Sequence, residues 1–438
     1  MDVVELVRGI TAASSPSDDV QQRVKLSIDS LPQTELDATC WKGLESMSIK
    51  SLFPVQKICT YLMINKSLNP KYSPFDCDLC ISAPTGSGKS LAYLLPIVHL
   101  LASRKHPVLR ALIVLPTRDL AMQISSVASS AFAGLKIQTL VGQHSMAEER
   151  AALAQGDCDV AVATMGRLID HLVIGALDLS YLRWLVVDEA DRLLSKSDLD
   201  KWGLVLNAVP DSAQRLLFSA TMTSNPLKLN KLKLTRPLFV SVGATMSTID
   251  HRYIVAPSKS LKARCMLKVL EYIFEGGASS ELVRRLPTEG MRRCLILCRT
   301  SANVESLTDL LVSYLKSSSI VVRPFSGNMT GAVREKLLGK FSRGSVNCLV
   351  STDVITRGID IPDIDVVVNY DVPQHSTTYI HRAGRTGRAN KEGLVITLAE
   401  KKEMRHFRKE ILTGRSDIAR FNLDFTCLIK HEDLEALA

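Results

Sequence analysis

The chain has 438 residues, of which 46% are hydrophobic, and a formal net charge of +9 at pH 7. This length exceeds one ordinary hydrophobic core and predicts two domains, and the apolar fraction excludes a largely disordered chain. The positive balance admits nucleic acid as a partner without requiring it. Residues 1–245 carry 25 Lys+Arg against 23 Asp+Glu and the remainder 29 against 22, so most of the excess lies in the second half.

The ten cysteines are scattered, and the one Cys-x-x-Cys, at Cys77 and Cys80, lacks the second pair that a zinc site requires. Core packing is the expected role for both, in a reducing compartment. The first residues lack the basic region of a signal peptide. The longest apolar stretch, residues 91–102, contains Pro96 and His99 and is too short to span a bilayer. The sequence therefore predicts a soluble intracellular protein without a membrane partner.

In chain order, residues 1–50 are mixed and predict short helical segments around a Ser/Asp-rich loop at 14–19. A helix follows from Phe53 to Ile64, with proline in its first turn, and then a loop over 65–78. Apolar runs next predict buried strands, each ending in a polar tip and followed by a helix. These runs are the one before residue 83 and those at 111–115, 137–141, 160–163, 182–187 and 215–218. The alternation is typical of a parallel sheet with helices on both faces.

The pattern restarts after a link at about 243–255. Further strands are predicted at 294–298, 346–350, 366–370 and 393–398, with a loop insertion at 275–293 and a basic helix at 401–412. We expect a first domain over residues 1–245, a second over 246–420 and a tail over 421–438.

Two of these tips together predict a nucleotide site. Ala83-Pro84-Thr85-Gly86-Ser87-Gly88-Lys89-Ser90 is a phosphate loop, whose backbone N–H groups cradle phosphates while Lys89 reaches the outer ones and the Ser90 hydroxyl ligates Mg²⁺. About a hundred residues on, a strand ends in Asp188-Glu189-Ala190-Asp191. Asp188 is predicted to complete the metal shell, and Glu189 to orient and deprotonate the attacking water. Acids at a strand end alone are as often a solvated turn, so the prediction depends on finding both tips in order.

From Phe53 to Arg388 the ordered motifs resemble a DEAD-box RNA helicase of superfamily 2. The motifs are Phe53-Pro54-Val55-Gln56, the phosphate loop, Pro116–Ala121, Thr164–Arg167, Asp188–Asp191, Ser219–Thr221, Ser351–Asp353, Arg357–Asp360 and His381–Arg388. The last is the most specific, with three arginines at three-residue spacing among glycines. The resemblance implies two tandem RecA-like α/β domains that bind ATP and Mg²⁺ between them and RNA across both.

The resemblance also implies roles for single residues. Gln56 would read adenine and Asp360 would bind the ribose, while Arg385 and Arg388 would reach the γ-phosphate. Ser219, Thr221, Asp191, His381 and Arg382 would couple the ATP site to RNA. The residues implied in gripping RNA phosphates and 2′-hydroxyls are Thr117, Arg118, Gly142, Thr164, Arg167, Arg299, Thr352 and Gly358. Each has a plainer alternative: Gln56 could cap its helix, the arginines could be surface residues, and Ser or Thr at a tip could cap the next helix.

The sequence departs from the family pattern at several positions. Ser90 stands where Thr is commoner, Asp119 where Glu is usual, Gln143 replaces the second glycine of a pair and Met165 a proline, and none of these removes a required group. Gly331 replaces a glutamine, which puts its contact to the His381 region in doubt. The aromatic usually found upstream of Gln56 has no clear match, with Trp41 a displaced candidate. The Phe-Pro-Val-Gln spelling and the long loop after it look like the subgroup that serves large-ribosomal-subunit assembly, including a plant helicase.

The sequence thus favours an RNA-dependent ATPase that clamps and locally unwinds RNA without sequence preference, acting as a monomer. Pre-ribosomal or other ribonucleoprotein components are the expected protein partners, and a nuclear or nucleolar location rests on the subgroup resemblance. Two alternatives stay open: an ATP-gated RNA clamp or scaffold with little turnover, and a DNA-directed translocase of the same superfamily. The intact Lys89, Glu189 and Arg388 argue against the first, and Gln56 with the Asp-Glu-Ala-Asp spelling argues against the second.

Overall fold

A computed structural model gives the structure of the chain, which divides into two compact units, residues 1–244 and 245–438. The residues that the structure describes are 3–8, 23–27, 36–64, 77–84, 86–194, 201–220, 232–242, 248–275, 283, 286, 292–315, 319–355, 361, 364–388, 391–413, 415 and 417–423.

The first unit is built on a nine-stranded sheet in the order β2-β1-β9-β3-β8-β7-β4-β6-β5. Its strands are β1 Val3–Arg8, β2 Arg23–Ser27, β3 Leu79–Ser82, β4 Ala111–Leu115, β5 Ile137–Leu140, β6 Val160–Thr164, β7 Trp184–Val187, β8 Gln214–Ser219 and β9 Leu238–Val242. The pairs among β3 to β9 are parallel, whereas β1 pairs antiparallel with both β2 and β9. The predicted parallel sheet is confirmed, and β1 and β2 extend it.

Helices cover both faces of this sheet. They are α1 Ala38–Ser46, α2 Pro54–Ile64, α3 Lys89–Leu101, α4 Arg118–Ala131, α5 Met146–Ala154, α6 Met165–Val173, α7 Ala190–Leu193 and α8 Lys201–Ala208. Because successive strand residues point to opposite faces, Ile113 joins one core with α2, α3 and α4, and Leu112 joins another with α6 and α8. A strand buried on both faces explains why the apolar runs are continuous rather than alternating.

The second unit repeats the architecture with seven parallel strands in the order β12-β13-β11-β14-β15-β10-β16. The strands are β10 Ile249–Ala256, β11 Cys294–Leu297, β12 Val322–Phe325, β13 Cys348–Ser351, β14 Val366–Asn369, β15 Gly393–Glu400 and β16 Ile418–Arg420. The helices are α9 Lys259–Phe274, α10 Ser301–Tyr314, α11 Gly331–Ser342, α12 Ser376–Ala383 and α13 Met404–Phe407, which a π-helical turn over Arg408–Leu412 prolongs. Two apolar cores again lie on opposite faces.

Two expectations about the chain's organisation were wrong. Residues 3–8 and 23–27 form β1 and β2 rather than helical segments, because β1 completes the open edge of β9. The predicted link at 243–255 contains β10, which pairs along its whole length with β15. The sequence pattern did not predict β10 because polar residues such as Arg252 interrupt its apolar run. Most of the predicted loops at 65–78 and 275–293, and the tail beyond residue 423, lie outside the described residues.

Within the part of the chain described above, no helix is long and apolar enough to cross a membrane.

Candidate active site and nucleic-acid interface

The phosphate loop joins β3 to α3 in the first unit. Gly86 and Gly88 adopt φ of 78° and 83°, a region that glycine enters without strain. The Lys89 ammonium donates to the carbonyls of Ala83 and Pro84, both at 2.9 Å, and the Ser87 hydroxyl donates to Pro84 at 2.7 Å. The loop therefore holds its own lysine against the carbonyls at its beginning. Thr85 lies outside the described residues.

Gln56 lies beside this loop and is buried. Its amide oxygen accepts from the Phe53 N–H at 2.8 Å, and its amide nitrogen donates to the Gly88 carbonyl at 3.1 Å. A Cβ on Gly88 would come within 2.2 Å of the Gln56 amide nitrogen and 3.0 Å of the Phe53 ring. Gln56 thus both caps α2 and fixes the end of the phosphate loop, which places its amide next to the nucleotide site.

The acidic tip follows β7, two strands from the loop. Asp188 is buried; one carboxylate oxygen accepts from the Glu189 N–H at 2.8 Å and the other from the Tyr93 hydroxyl at 3.1 Å. Burial, with the adjacent Glu189, raises the pKa of Asp188 to about 6 against the opposing charge of Lys89. Glu189 has φ of 48°, a costly conformation for a residue with a side chain and one that clusters at functional sites.

Tyr93 is a site residue that the sequence analysis missed. Its phenol contacts Asp188 and also hydrogen-bonds with Ser90, one turn earlier on α3, and burial raises its pKa well above the usual value. It therefore aligns the two predicted metal ligands. The only sequence signal was its position three residues after Ser90, on the buried side of an apolar helix.

Ser219 joins the loop to the acidic tip. It ends β8, which lies between β3 and β7. Its carbonyl accepts from the Ala83 N–H at 3.0 Å, and its hydroxyl donates to Asp191 at 2.6 Å. The structure therefore brings the phosphate loop, the acidic tip and the predicted coupling serine into one hydrogen-bonded group. Thr221 lies outside the described residues.

The predicted RNA residues of the first unit meet at the ends of β4, β6 and β5, which are neighbours in the sheet. Thr117 caps α4, and Arg118 after it contacts the Gln143 side-chain oxygen. Gln143 takes φ of 73°, so the residue that replaces glycine keeps a glycine-like backbone. Gly142 faces open space.

Arg167, on α6 after Thr164, is held in place by the buried carboxylate of Glu149. The carboxylate accepts from Arg167 at 2.8 Å, from the Val141 N–H at 3.2 Å, and lies 2.6 Å from His171. Arg167 also donates to the His144 carbonyl. Glu149 gave no sequence signal, because it follows another glutamate, Glu148, on a mostly exposed helix.

In the second unit, the three regularly spaced arginines occupy different environments. Arg382 is buried and donates to both carboxylate oxygens of Asp353, at 2.6 and 3.0 Å, and to the carbonyl of Asp371 at 2.9 Å. Arg385 is buried and donates to the His381 carbonyl at 3.3 Å. Arg388 is partly exposed and donates to backbone carbonyls of Gly384 and Ile361.

Arg299 and Thr352 follow β11 and β13, which are neighbours. Arg299 donates its N–H to Asp371 at 2.7 Å, and its half-exposed guanidinium lies 3.7 Å from Glu403. Gly358 and Asp360 lie outside the described residues. At Gly331 a Cβ would meet nothing within 4 Å, so the missing glutamine leaves open space rather than a filled contact.

Comparison with known proteins agrees with this arrangement. Residues 63–229 match the family described as DEAD/DEAH box helicase, and residues 278–390 match the helicase conserved C-terminal domain. The Arabidopsis thaliana protein named DEAD-box ATP-dependent RNA helicase 1 is 34% identical over 91% of this chain and 84% of its own length. This chain belongs to the DEAD-box family of ATP-dependent RNA helicases.

Other relatives of the helicase span much of the chain as well. ATP-dependent RNA helicase DDX51 of Danio rerio is 33% identical over 94% of this chain and 69% of its own length. A solved structure of Mss116p bound to ssRNA and AMP-PNP superposes with a TM-score of 0.74 at 26% identity, covering 94% of this chain and 82% of that one. The predicted RecA-like fold and the helicase activity are confirmed.

Proposed function

We propose that the helicase hydrolyses ATP at the group formed by the phosphate loop and the acidic tip, with arginines of the second unit completing the site. The observation that carries this proposal is Ser219, which is hydrogen-bonded to Ala83 of the loop and Asp191 of the tip. An ATP whose phosphates lie on the loop has Lys89 at its outer phosphates and Glu189 beside the attacking water.

The donors present fit a magnesium ion. Ser90 and Asp188 offer a hydroxyl and a carboxylate, hard oxygen ligands that Tyr93 aligns, and Mg²⁺ in such sites takes one or two protein ligands with the substrate phosphates. When bound, the ion neutralises charge on the phosphates. Among the described residues there is no cluster of three or more His, Cys, Asp or Glu side chains for a metal.

Arg385 and Arg388 are the proposed finger residues. Charge builds on the γ-phosphoryl oxygens in the transition state, and guanidinium groups stabilise it. Arg388 suits contact with substrate because it is partly exposed, and its guanidinium donates to the backbone carbonyls of Gly384 and Ile361. Arg382 instead has both of its edges satisfied within the second unit, so we assign it a positioning role.

RNA is proposed to lie on the strand tips of both units, on Thr117, Arg118, Gly142, Thr164 and Arg167 in the first and on Arg299 and Thr352 in the second. Contacts to phosphates and sugars alone explain an enzyme without sequence preference. ATP and RNA would both favour a closed arrangement of the units, so each should tighten the binding of the other. We further propose a monomer that serves ribosome biogenesis in the nucleus or nucleolus, with pre-ribosomal or other ribonucleoprotein proteins as partners, on the subgroup resemblance of the Phe53–Gln56 motif.

The test is phosphate release from ATP with and without single-stranded RNA, and with DNA of the same sequence. Wild-type protein should be stimulated by RNA and little by DNA. Lys89→Ala should lose nucleotide binding and turnover, whereas Lys105→Ala, an exposed lysine just after α3, should behave as wild type. Little turnover even with RNA present would favour the ATP-gated clamp, and equal stimulation by DNA would favour the translocase.

A further inference from the structure

A groove in the second unit lies outside the strand tips described so far. It has a volume of about 730 Å³ and runs between β10 and the helical segment Met404–Leu412. Its floor is apolar, formed by Tyr253, Val255 and Met404. The Tyr253 ring packs against Phe407 with centroids 5.5 Å apart, so the floor is a fixed aromatic surface.

Five cations and no acid line the remainder of this basic groove: Lys401, Arg405, Arg408, Lys409 and Arg420. All five are exposed, and within the part of the chain that the structure describes none has an ion pair or a side-chain hydrogen bond. Their neighbours differ. Lys402 pairs with Glu400 at 2.9 Å, and Arg415 pairs with Asp417 at 2.5 Å. The groove therefore contains positive charges that are not neutralised by ion pairs within the described residues.

The cations lie in a row rather than around a single point. Arg405, Arg408 and Lys409 share one helix face, since residues three and four apart are neighbours there, and Lys401 comes one turn earlier. Within the helical segment, from Arg405 to Lys409, the rise is roughly 6 Å, and Lys401 extends the row from the turn before Met404. The π-helical turn, closed by the Thr413 N–H donating to the Arg408 carbonyl at 3.1 Å, widens the helix where two of these cations lie. A linear polyanion matches this spacing better than a single phosphate does.

The groove begins next to a predicted RNA contact of the same unit. Glu403, immediately before α13, accepts from buried Lys262 at 2.9 Å and lies 3.7 Å from Arg299. In the sheet, β10 is three strands from β11, about 14 Å at the usual strand spacing. An RNA strand bound at Arg299 can therefore continue into the groove along the surface of the second unit.

We propose that the basic groove is a second binding site for single-stranded RNA, which holds nucleotides flanking those on the strand tips. A cationic channel with an aromatic floor is the combination that binds single strands without sequence preference, phosphates on the cations and bases on the ring. The proposal rests on RNA being the substrate of the helicase. It predicts that affinity depends on RNA length, because a short RNA fills the strand tips alone.

The experiment measures equilibrium binding of the full chain to single-stranded RNAs of about 6 and about 20 nucleotides over a salt series. In Arg405→Gln/Arg408→Gln/Lys409→Gln, binding to the short RNA should be unchanged. Binding to the long RNA should weaken about tenfold, and the slope of log affinity against log salt should be shallower by about 2, since each single-strand phosphate contact contributes about 0.7. The matched control, Lys336→Gln/Lys340→Gln/Arg343→Gln, removes three exposed charges on and just after α11, beside the opposite sheet edge.

Tyr253→Leu gives an independent measurement. It should weaken binding of the long RNA about fivefold or more, while the slope of log affinity against log salt stays unchanged. Long-RNA binding equal to that of the control in both variants would overturn the proposal and leave the groove to a protein partner. An equal loss on short and long RNA would also overturn it. ATP hydrolysis stimulated by the short RNA should persist in every variant. A wild-type protein that RNA does not stimulate would contradict the proposed function instead.

Discussion

The two units of the helicase use the same parallel sheet to build opposite kinds of site. At the strand ends of the first unit lie one lysine, a serine hydroxyl and the carboxylates of the acidic tip, which the proposed function assigns to phosphates and a cation. At those of the second, guanidinium groups dominate, held by carboxylates and carbonyls. The fold alone thus fixes where a site lies, and the residues at the tips decide its chemistry.

The comparison also separates residues of one motif. Arg382, Arg385 and Arg388 look equivalent in sequence, but their burial decreases in that order, and Arg382 is paired with the carboxylate of Asp353. The first unit also has a difference in burial, because Asp188 is buried and accepts from Tyr93 whereas Glu189 is less buried and pairs with Arg192 at 3.3 Å. The proposed function assigns a positioning role to the more buried group of each unit and contact with substrate or water to the less buried one.

The largest effect is expected from Arg388→Ala. Nucleotide affinity should stay nearly intact while RNA-stimulated turnover falls by about 10³–10⁵, the usual contribution of an arginine finger. Steady-state phosphate release and nucleotide titration measure the two quantities. Arg343→Ala, another exposed arginine of the second unit, should be silent. RNA stimulation retained in Arg388→Ala, or seen with residues 1–244 alone, would contradict the division of labour between the units.

Glu189→Gln tests the first unit's contribution. The amide keeps the shape and a hydrogen bond but cannot take a proton from water, so turnover should fall by about 10²–10⁴. ATP and RNA binding should survive, and RNA should stay bound longer in the presence of ATP. RNA release at the wild-type rate would show that hydrolysis does not drive release.

Low pH should lower the stability of the second unit more than that of the first. Burial, with the Arg415 guanidinium, lowers the pKa of His251 to about 4 against the opposing pull of Asp417 and Asp250. The Tyr379 hydroxyl also faces the ring at 2.8 Å. Since the folded-state pKa lies below the usual 6.5, stability is fully present above pH 6.5 and is lost as pH falls towards 4, by roughly 3 kcal/mol.

Hydrogen exchange of β10 and β15 at pH 7 and pH 4.5 measures this loss directly. Fluorescence supplies the comparison, because the three tryptophans, Trp41, Trp184 and Trp202, all lie in the first unit. In His251→Gln the pH dependence of the second unit should shrink, whatever the variant's stability at pH 7. An unchanged pH dependence would assign the acid sensitivity to other groups.

The smallest effect concerns the adenine preference. Gln56→Ala should weaken the binding of ATP about tenfold relative to that of GTP, which is the contribution of one or two hydrogen bonds. Competition binding measures this ratio. Gln56→Glu is the sharper variant, because its carboxylate can still accept from Phe53 and cap α2 but cannot donate. If Gln56→Glu kept the wild-type preference, the residue's role would be the helix cap alone.

The sequence by itself determined the parallel sheets, the order of the tips and the chemistry of most site residues. Continuous apolar runs ending in polar residues are readable locally, and the phosphate loop and the His381–Arg388 motif need only short segments. It could not determine β1 and β2, which owe their conformation to the open edge of β9. It did not reveal Tyr93 or Glu149 either, because each acts through residues distant in the chain.

The tertiary structure decided which of several similar groups is buried and which is partly exposed. Arg382 and Arg388 have the same side chain, but folding buries Arg382 against Asp353 and leaves Arg388 partly exposed, donating to backbone carbonyls. Likewise the cations of residues 401–409 read as a solvated basic helix until β10 supplies an aromatic floor beneath them. Side-chain periodicity is a local property, whereas burial, pairing and electrostatic environment depend on contacts between segments far apart in sequence.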